Sequence, residues 1–330
     1  MSILRRTMIV AGIDEAGYGP LLGPLVVGCA AFEVADADPA GEVPCLWKRL
    51  GKYVSRTRSK TGKKLHVNDS KLVYSPAGGL KELERSVLTL ATAWRGWPDG
   101  LDGLLGCLAA HATADLPGYA WYQTSTAERF PFEQDGLPVR LFAHALEPHM
   151  RQSGATCVHM AARVVFERQF NRMVNATRNK SDALFSLAAI HLDHLLRTYG
   201  SQDLVIVCDR QGGREHYGRL LRLMFEDWSL EIHHETGGHS EYRLARDGHT
   251  VRIVFCEKAE VGCMSVALAS MISKYLREGM MRRFNAYWKH HLPDVHPTAG
   301  YYGDGVRFLS DIEPKRRELG IRDEDLIRCR

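Results

Sequence analysis

Three short apolar runs, far apart along the chain, each end at or close to an acidic residue. The first is Thr7–Ile13, which leads directly into Asp14. The second is Asp203–Asp209, and the third is Thr250–Cys256, which is followed within four residues by Glu260. Short runs rich in Val, Ile and Leu are typical of buried β-strands. The sequence therefore predicts core strands whose ends carry carboxylates into a cleft.

Helical patterns separate the later strands, whereas the chain opens with two strands close together. The second of these, Leu25–Phe32, is near enough in sequence to pair antiparallel with the first. These patterns predict an α/β fold with a mixed β-sheet flanked by helices. The other predicted elements are helices at Pro76–Trp94, Leu141–Gln152, Ala183–Tyr199 (capped by Ser181 and Asp182) and Val261–Phe284, and a strand at Ala155–Phe166.

We expect residues 1–330 to form a single domain, with an inserted segment at about 95–138 and a helical C-terminal part at about 276–330. The inserted segment has the least regular pattern. It contains clusters of Gly, Pro and Asp together with several aromatic residues.

The positive charge of the chain is unevenly distributed. The formal net charge is +4, but between Lys48 and Lys71 nine Lys or Arg residues accompany a single acid, Asp69. Such a block favours a surface that contacts phosphates. On charge alone, a solvated loop explains it equally well.

Neither secretion nor membrane insertion is indicated by the sequence. The first apolar stretch meets Asp14 and Glu15 before it reaches the length of a signal peptide. No run approaches the ~18–20 apolar residues of a membrane span. The eight cysteines form no Cys-x-x-Cys pair. We expect a cytoplasmic protein with no membrane association and no obligate protein partner.

Acids at the ends of neighbouring strands converge on one cleft in α/β sheets. Carboxylates crowded together repel one another unless a hard cation lies among them. Oxygen ligands of this kind suit Mg²⁺ or Mn²⁺ rather than zinc, and they favour two-metal chemistry on a phosphodiester. Taken singly, an acid after a strand is usually a cap or turn residue, so this pattern alone leaves both interpretations open.

One long motif distinguishes between a metal site and separate cap or turn residues. Gly12–Pro24, GIDEAGYGPLLGP, closely resembles the opening motif of ribonucleases HII and HIII, the type 2 ribonucleases H. Because this motif begins near residue 12, the organisation resembles that of ribonuclease HII. Four later stretches resemble further family motifs in the same order: Asn68–Leu72, Asp209 at the end of VIVCD, Lys258–Glu260 with the following helix that carries Ser270 and Lys274, and Gly300–Gly303.

The resemblance implies a ribonuclease H-like fold and a metal-dependent endoribonuclease. Such an enzyme hydrolyses the RNA strand of RNA–DNA hybrids, or a ribonucleotide-containing duplex, to 5′-phosphate and 3′-hydroxyl ends. The implied catalytic and metal-binding residues are Asp14, Glu15, Asp209 and Glu260, with Asp14 bridging two Mg²⁺ or Mn²⁺ ions. The implied substrate-binding residues are Gly17, Tyr18, Gly19, Ser70, Lys71, Lys258, Ser270, Lys274, Tyr301 and Tyr302.

Two positions depart from the family pattern. Tyr18 stands where ribonuclease HII usually has arginine, which leaves open whether a single embedded ribonucleotide or a longer hybrid tract is preferred. Glu260 stands where aspartate is more common, which leaves the choice of metal open. For the tyrosine that stacks on the sugar beside the cut, we favour Tyr301 over Tyr302.

Two alternative functions fit the same sequence. One is a structure-specific DNA nuclease of the same fold, and the other is a catalytically inactive homologue that binds nucleic acid. The inserted segment has no counterpart in the resemblance. Our hypothesis for it is that Trp97 and Trp121 extend the grip on substrate by stacking. The sequence leaves the oligomeric state open.

Overall fold

The apolar runs form strands of one mixed sheet in a computed structural model, which describes residues 7–38, 41–74, 77–124 and 128–329. The strands are β1 Thr7–Ala16, β2 Leu25–Ala35, β3 Val54–Ser55, β4 Leu65–His66, β5 Ala155–Val165, β6 Asp203–Asp209, β7 Ser229–Thr236, β8 His239–Arg246 and β9 His249–Cys256. Within the described ranges, seven of them form a sheet in the order β5-β2-β1-β6-β9-β8-β7, and β3 and β4 form a separate parallel pair.

The centre of the large sheet is parallel and its flanks are antiparallel. β1 pairs parallel with β6, and β6 pairs parallel with β9. β2 pairs antiparallel with β1, and β8 does so with β9. The predicted mixed sheet flanked by helices is confirmed, as is the antiparallel pairing of the first two strands.

Helices cover the sheet. They are α1 Leu46–Arg49, α2 Ser70–Val73, α3 Lys81–Arg95, α4 Gly100–Leu108, α5 Ala110–Asp115, α6 Gly136–Gln152, α7 Glu167–Thr177, α8 Lys180–Tyr199, α9 Gly218–Met224, α10 Ala259–Gly262, α11 Met264–His291, α12 Tyr302–Glu318 and α13 Asp323–Leu326. The helix predicted from Pro76 begins at Lys81, and Pro76 itself lies outside the described residues. The helix predicted from Leu141 begins five residues earlier, at Gly136.

Two further predictions about the helices are wrong. α8 is capped by Asn179, whose side chain accepts hydrogen bonds from the backbone N–H groups of Ser181 and Asp182 at 2.9 and 3.3 Å. The predicted cap at Ser181 and Asp182 therefore lies inside the helix. The predicted helix Val261–Phe284 is two helices, because Cys263 is extended and separates α10 from α11.

The small residues of α11 let it lie directly on β1 and β2. Ser265 Oγ donates to the carbonyl of Val10 at 2.9 Å. A Cβ at Gly12 would lie closer to the backbone nitrogen of Val266 than real Cβ atoms come to backbone atoms. The same holds for a Cβ at Gly28 against the carbonyl of Ala269. Two glycines in the strands thus match the small residues in the helix.

Buried polar contacts join the inserted segment to the main core. The Glu84 carboxylate is fully buried and accepts hydrogen bonds from the backbone N–H groups of Phe132, Glu133 and Gln134 at 2.6–2.7 Å. It also accepts one from Tyr275 Oη of α11 at 2.7 Å. These hydrogen bonds tie the segment to α3 and α11, and the predicted helical part from about 276 begins in the middle of α11.

The hypothesis that Trp121 stacks on substrate is wrong, because its side chain is only 4% exposed in the core. It packs edge-on against Phe284, with ring centroids 6.5 Å apart. Trp97 is half-buried and lies beneath the guanidinium of Arg140. Aromatic side chains in this segment thus contribute mainly to packing.

Among the helices that the structure describes, none combines the length and apolar character needed to cross a membrane.

Candidate active site

The sheet topology brings the predicted acids to one edge. Asp14 lies near the end of β1, Asp209 is the last residue of β6, and Glu260 lies in α10 directly after β9. Because these three strands are parallel and adjacent, their carboxyl ends meet. Together with Glu15, the three acids line a cleft of about 250 Å³.

Most of the predicted substrate-binding residues line the same cleft. They are Gly17, Tyr18, Gly19, Ser70, Lys71, Ser270, Lys274 and Tyr301. Two others, Lys258 and Tyr302, lie outside the lining. Lys258 is exposed and adopts a left-handed conformation with φ 54°, at the turn into α10. Of the two adjacent tyrosines, the lining contains the one favoured from the sequence, Tyr301.

Sequence reasoning missed two charged residues of the cleft, Asp69 and Arg277. In the sequence, Asp69 stands out only as the single acid between Lys48 and Lys71, although it is part of the Asn68–Leu72 motif. Its carboxylate caps α2 by accepting from the backbone N–H of Lys71 at 3.0 Å. Arg277 follows Lys274 on α11 and gave no sequence signal beyond its charge.

The carboxylates raise one another's pKa. Burial raises the pKa of Asp14 well above its usual value, and the neighbouring charges of Glu15 and Asp209 add to the effect. Burial, and then the charge of Asp209, raise the pKa of Glu15 to about 8. Burial also raises the pKa of Asp209 and of Glu260. The protein alone therefore disfavours four ionised carboxylates here.

Lys71 is the cation that partly offsets this repulsion. Its charge lowers the pKa of Glu15, Asp209 and Glu260 at once, although burial outweighs it at each. The Lys71 side chain is exposed at the rim.

A hydrogen bond joins two walls of the cleft: Ser270 Oγ of α11 donates to Ser70 Oγ of α2 at 3.0 Å.

Not every carboxylate oxygen of the acid cluster has a hydrogen-bond partner. Asp14 Oδ1 accepts from the backbone N–H of Glu15 at 2.7 Å, and Asp209 Oδ1 accepts from that of Ala259 at 3.1 Å. Glu15 Oε2 is buried and has no hydrogen-bond partner. An unpaired buried carboxylate oxygen is costly unless something positive satisfies it.

These residues fit a hard divalent cation in their chemistry. Carboxylate oxygens are the ligands that Mg²⁺ and Mn²⁺ prefer, and a cation would remove the repulsion that raises the pKa values. Within residues 7–38, 41–74, 77–124 and 128–329, no three His, Cys, Asp or Glu side chains already stand in an arrangement that could hold a metal ion. Binding would therefore require side-chain adjustment within the cleft.

Two buried arginines fix the loop that follows Glu15. Arg328 donates from Nη2 to the carbonyl of Tyr18 at 3.0 Å, and its Nη1 donates to the carbonyl of Gly17. Arg277 donates to the carbonyl of Leu22 at 3.3 Å. Gly17 has φ 85°, and a Cβ there would lie 2.6 Å from Arg277 Nε, so only glycine fits.

Tyr18 and Tyr301 each lie next to a cationic side chain. Lys180 Nζ lies 4.9 Å from the centre of the Tyr18 ring, so a cation is next to the position where the family usually has arginine. Tyr301 is 50% exposed, and the Arg277 guanidinium lies 5.6 Å from its ring centre. Lys274 Nζ pairs with Glu278 at 2.6 Å.

Comparison with known proteins found similarity only among solved structures. No model of a known protein family matches the chain, and neither does any curated protein. The ribonuclease HII of a PCNA complex from Archaeoglobus fulgidus is 16% identical, with a TM-score of 0.45, over 98% of this chain and 95% of that one.

Two further solved structures have comparable identity and coverage of this chain. A mutant of Bst-RNase HIII is 16% identical, with a TM-score of 0.47, over 98% of this chain and 67% of that one. Ribonuclease H2 from Pyrococcus horikoshii OT3 is 15% identical, with a TM-score of 0.39, over 97% of this chain and 92% of that one. These three solved structures are of a ribonuclease HII, a ribonuclease HIII and a ribonuclease H2.

Proposed function

We propose that the chain is a metal-dependent endonuclease that hydrolyses the RNA strand of RNA–DNA hybrids, leaving 5′-phosphate and 3′-hydroxyl ends. One observation carries the proposal: Asp14, Glu15, Asp209 and Glu260, drawn from separate parts of the chain, line one cleft. Such a carboxylate cluster has a large electrostatic cost without cations. Its presence in a cleft is therefore better explained by function than by stability.

In this proposal Asp14, Glu15, Asp209 and Glu260 would hold two Mg²⁺ or Mn²⁺ ions. Bound cations of this kind activate water for attack on a phosphodiester and stabilise the charge on the leaving oxygen. Lys71, which already lowers the pKa of three of these acids, adds positive charge where a phosphate would bind.

The cleft also offers groups that suit recognition of the sugar. A hydrogen bond from Arg328 fixes the carbonyl of Gly17, and Arg277 lies beside this turn, so its backbone is pre-organised for close approach to a ribose. The 2′-hydroxyl is the group that distinguishes RNA from DNA at a given site. The exposed ring of Tyr301 at the rim suits stacking on the neighbouring sugar.

The test compares four labelled duplexes, each with Mg²⁺ and with Mn²⁺: a single embedded ribonucleotide, a tract of four ribonucleotides, a full hybrid and all-DNA. We expect cleavage of the hybrid and the tract, and none of the all-DNA duplex. Cleavage of the all-DNA duplex at an equal rate would instead support a DNA nuclease of the same fold. The single-ribonucleotide duplex tests the consequence of Tyr18.

Matched variants assign the chemistry. Asp14→Asn and Asp209→Asn should each abolish cleavage while hybrid binding persists. Asp247→Asn, in an exposed turn remote from the cleft, is the control and should cleave at the wild-type rate. Wild-type activity in all three variants would contradict the catalytic assignment.

Cytoplasmic location and the lack of an obligate partner stay predictions.

A further inference from the structure

The segment Lys48–Lys71, here called the basic segment, holds all of the net positive charge of the chain. Nine Lys or Arg residues and one acid give it a formal charge of +8. The whole chain carries +4, so the remaining residues together carry −4. A charge separation of this size marks one surface for a polyanion.

Seven of the nine cations of this segment are exposed. The exposed ones are Lys48, Lys52, Arg56, Arg58, Lys60, Lys63 and Lys71. Arg58 lies 3.4 Å from Glu82 of α3, but its side chain is 71% exposed, so this pair contributes little. Exposed like charges on one segment repel one another, and a row of phosphates would relieve that repulsion.

Contacts to the backbone give the segment a defined shape. Arg85 of α3 donates to the carbonyls of Gly62 and Lys64. His66 Nε2 and Asn68 Nδ2 both donate to the carbonyl of Arg56, at 3.0 and 2.9 Å. The segment is therefore pre-organised, which reduces the entropic cost of binding.

The basic segment leads directly into the wall of the cleft. Asp69, Ser70 and Lys71 line the cleft, and Asn68, which fixes Arg56, immediately precedes them. Because Asp69, Ser70 and Lys71 belong to the segment and also line the cleft, the segment continues without a gap into the place where a phosphate would bind.

We propose that the basic segment binds the phosphate backbone of the substrate duplex on one side of the cut. This inference rests on the proposed function, because it takes a nucleic-acid duplex as the substrate of the cleft. Contacts to phosphates carry no sequence information. The segment therefore sets the affinity and orientation of the duplex, and it acts equally on a hybrid arm and on a DNA arm.

The test measures duplex binding as a function of salt between 50 and 200 mM, with Mg²⁺ present. Every protein carries Asp14→Asn so that the duplex stays intact. The test variant adds Lys52→Gln, Lys60→Gln and Lys63→Gln. The control instead adds Arg219→Gln, Arg222→Gln and Lys289→Gln, which remove the same charge from exposed positions outside the segment.

We expect the slope of log affinity against log salt to become shallower by about 1 per lost phosphate contact in the test variant, hence by roughly 2–3 for the triple substitution. Affinity at low salt should fall about tenfold or more, equally for hybrid and DNA duplexes. The control should keep the slope of the Asp14→Asn protein. The single substitution Lys60→Gln should change the slope by about 1, which guards against misfolding of the triple variant.

The outcomes separate the two proposals. Equal slopes in the test and control variants would overturn the role of the basic segment. A segment-dependent slope in a protein that, with Asp14 intact, cuts no duplex would support this inference and overturn the proposed function. Failure to bind any duplex would overturn both.

Discussion

Arg328 donates a hydrogen bond from Nη2 to the carbonyl of Tyr18 at 3.0 Å, across 310 positions of the chain. Its side chain is only 1% exposed, and its guanidinium also lies 4.0 Å from the ring centre of Phe170. Burial lowers the pKa of Arg328 to about 10, which keeps it charged at neutral pH. The C-terminal segment thus fixes the loop that borders the acid cluster.

Replacing Arg328 should impair catalysis more than folding. In Arg328→Lys the charge stays, but the ammonium cannot reproduce the planar set of donors to the carbonyls of Gly17 and Tyr18. We expect hybrid cleavage to fall about tenfold to a hundredfold, because small displacements of positioned groups have effects of that size. The comparison is Arg322→Lys, whose exposed side chain pairs with the buried Asp325. An equal loss in both variants would contradict this role.

Removing metal should lower thermal stability through the acid cluster. If the carboxylates bind Mn²⁺, saturating metal at about 100 times its dissociation constant should stabilise the wild type by about 2.7 kcal/mol. Calorimetry with and without Mn²⁺ measures this shift. Asp14→Asn and Glu260→Gln should lose most of it, whereas Asp247→Asn should keep it. A shift that survives in Asp14→Asn would place the metal elsewhere.

Gly12→Ala should destabilise the fold strongly. The new Cβ would meet the backbone of Ser265 and Val266 at the start of α11, which cannot yield without moving away from β1. Overpacking of this kind costs about 1–3 kcal/mol or more. Denaturant unfolding measures the loss. The control is Gly106→Ala in α4, where a Cβ meets nothing within 4 Å, and there stability should be unchanged or slightly higher.

Glu84→Gln should loosen the inserted segment. The carboxylate accepts three backbone N–H groups and one tyrosine hydroxyl, and an amide has one oxygen fewer to accept them. We expect a loss of about 1.5–3 kcal/mol in unfolding free energy. Hydrogen exchange at residues 128–134 should rise together with it. Glu147→Gln on the exposed face of α6 should show neither effect.

Acid should destabilise the protein through His191. This ring is buried on α8, donates to the carbonyl of Val27 at 2.9 Å, and has its pKa lowered by burial to about 3. The unfolded chain takes up the proton near pH 6.5 and the folded chain does not, so stability is complete above pH 6.5 and falls as the pH drops towards 3.

Between pH 6.5 and 5 this one group should remove roughly 1.6 kcal/mol of stability. Denaturant unfolding at the two pH values measures the difference, and His191→Gln should reduce it. Burial also lowers the pKa of the neighbouring His159, to about 4, which adds to the effect in both proteins. Substitution of the exposed His249 should leave the pH dependence unchanged. An identical pH dependence in His191→Gln would exclude His191 as its source.

Local patterns in the sequence determined the strands and the acids at their ends. Continuous runs of Val, Ile and Leu are typical of buried strands, so β1, β6 and β9 could be predicted from the sequence. The Gly12–Pro24 motif identified the turn that follows β1. Helix ends were predicted less well. The N-cap of α8 is Asn179 and not Ser181 or Asp182, because which of several adjacent polar residues caps a helix depends on the local backbone geometry. β7 was not predicted, because it is largely exposed and only Leu230 and Ile232 alternate in it.

Only the tertiary structure decided which distant side chains meet. Arg277 and Arg328 carry no local signal, because an arginine on a helix or near a terminus is usually solvated, yet both are buried against the Gly17–Leu22 carbonyls. The burial of Trp121 could not be predicted either, because it depends on packing against Phe284 of α11, which is distant in the sequence. The chain thus specified its carboxylates one by one, and the parallel order of three strands, which no local pattern encodes, assembled them into one cleft.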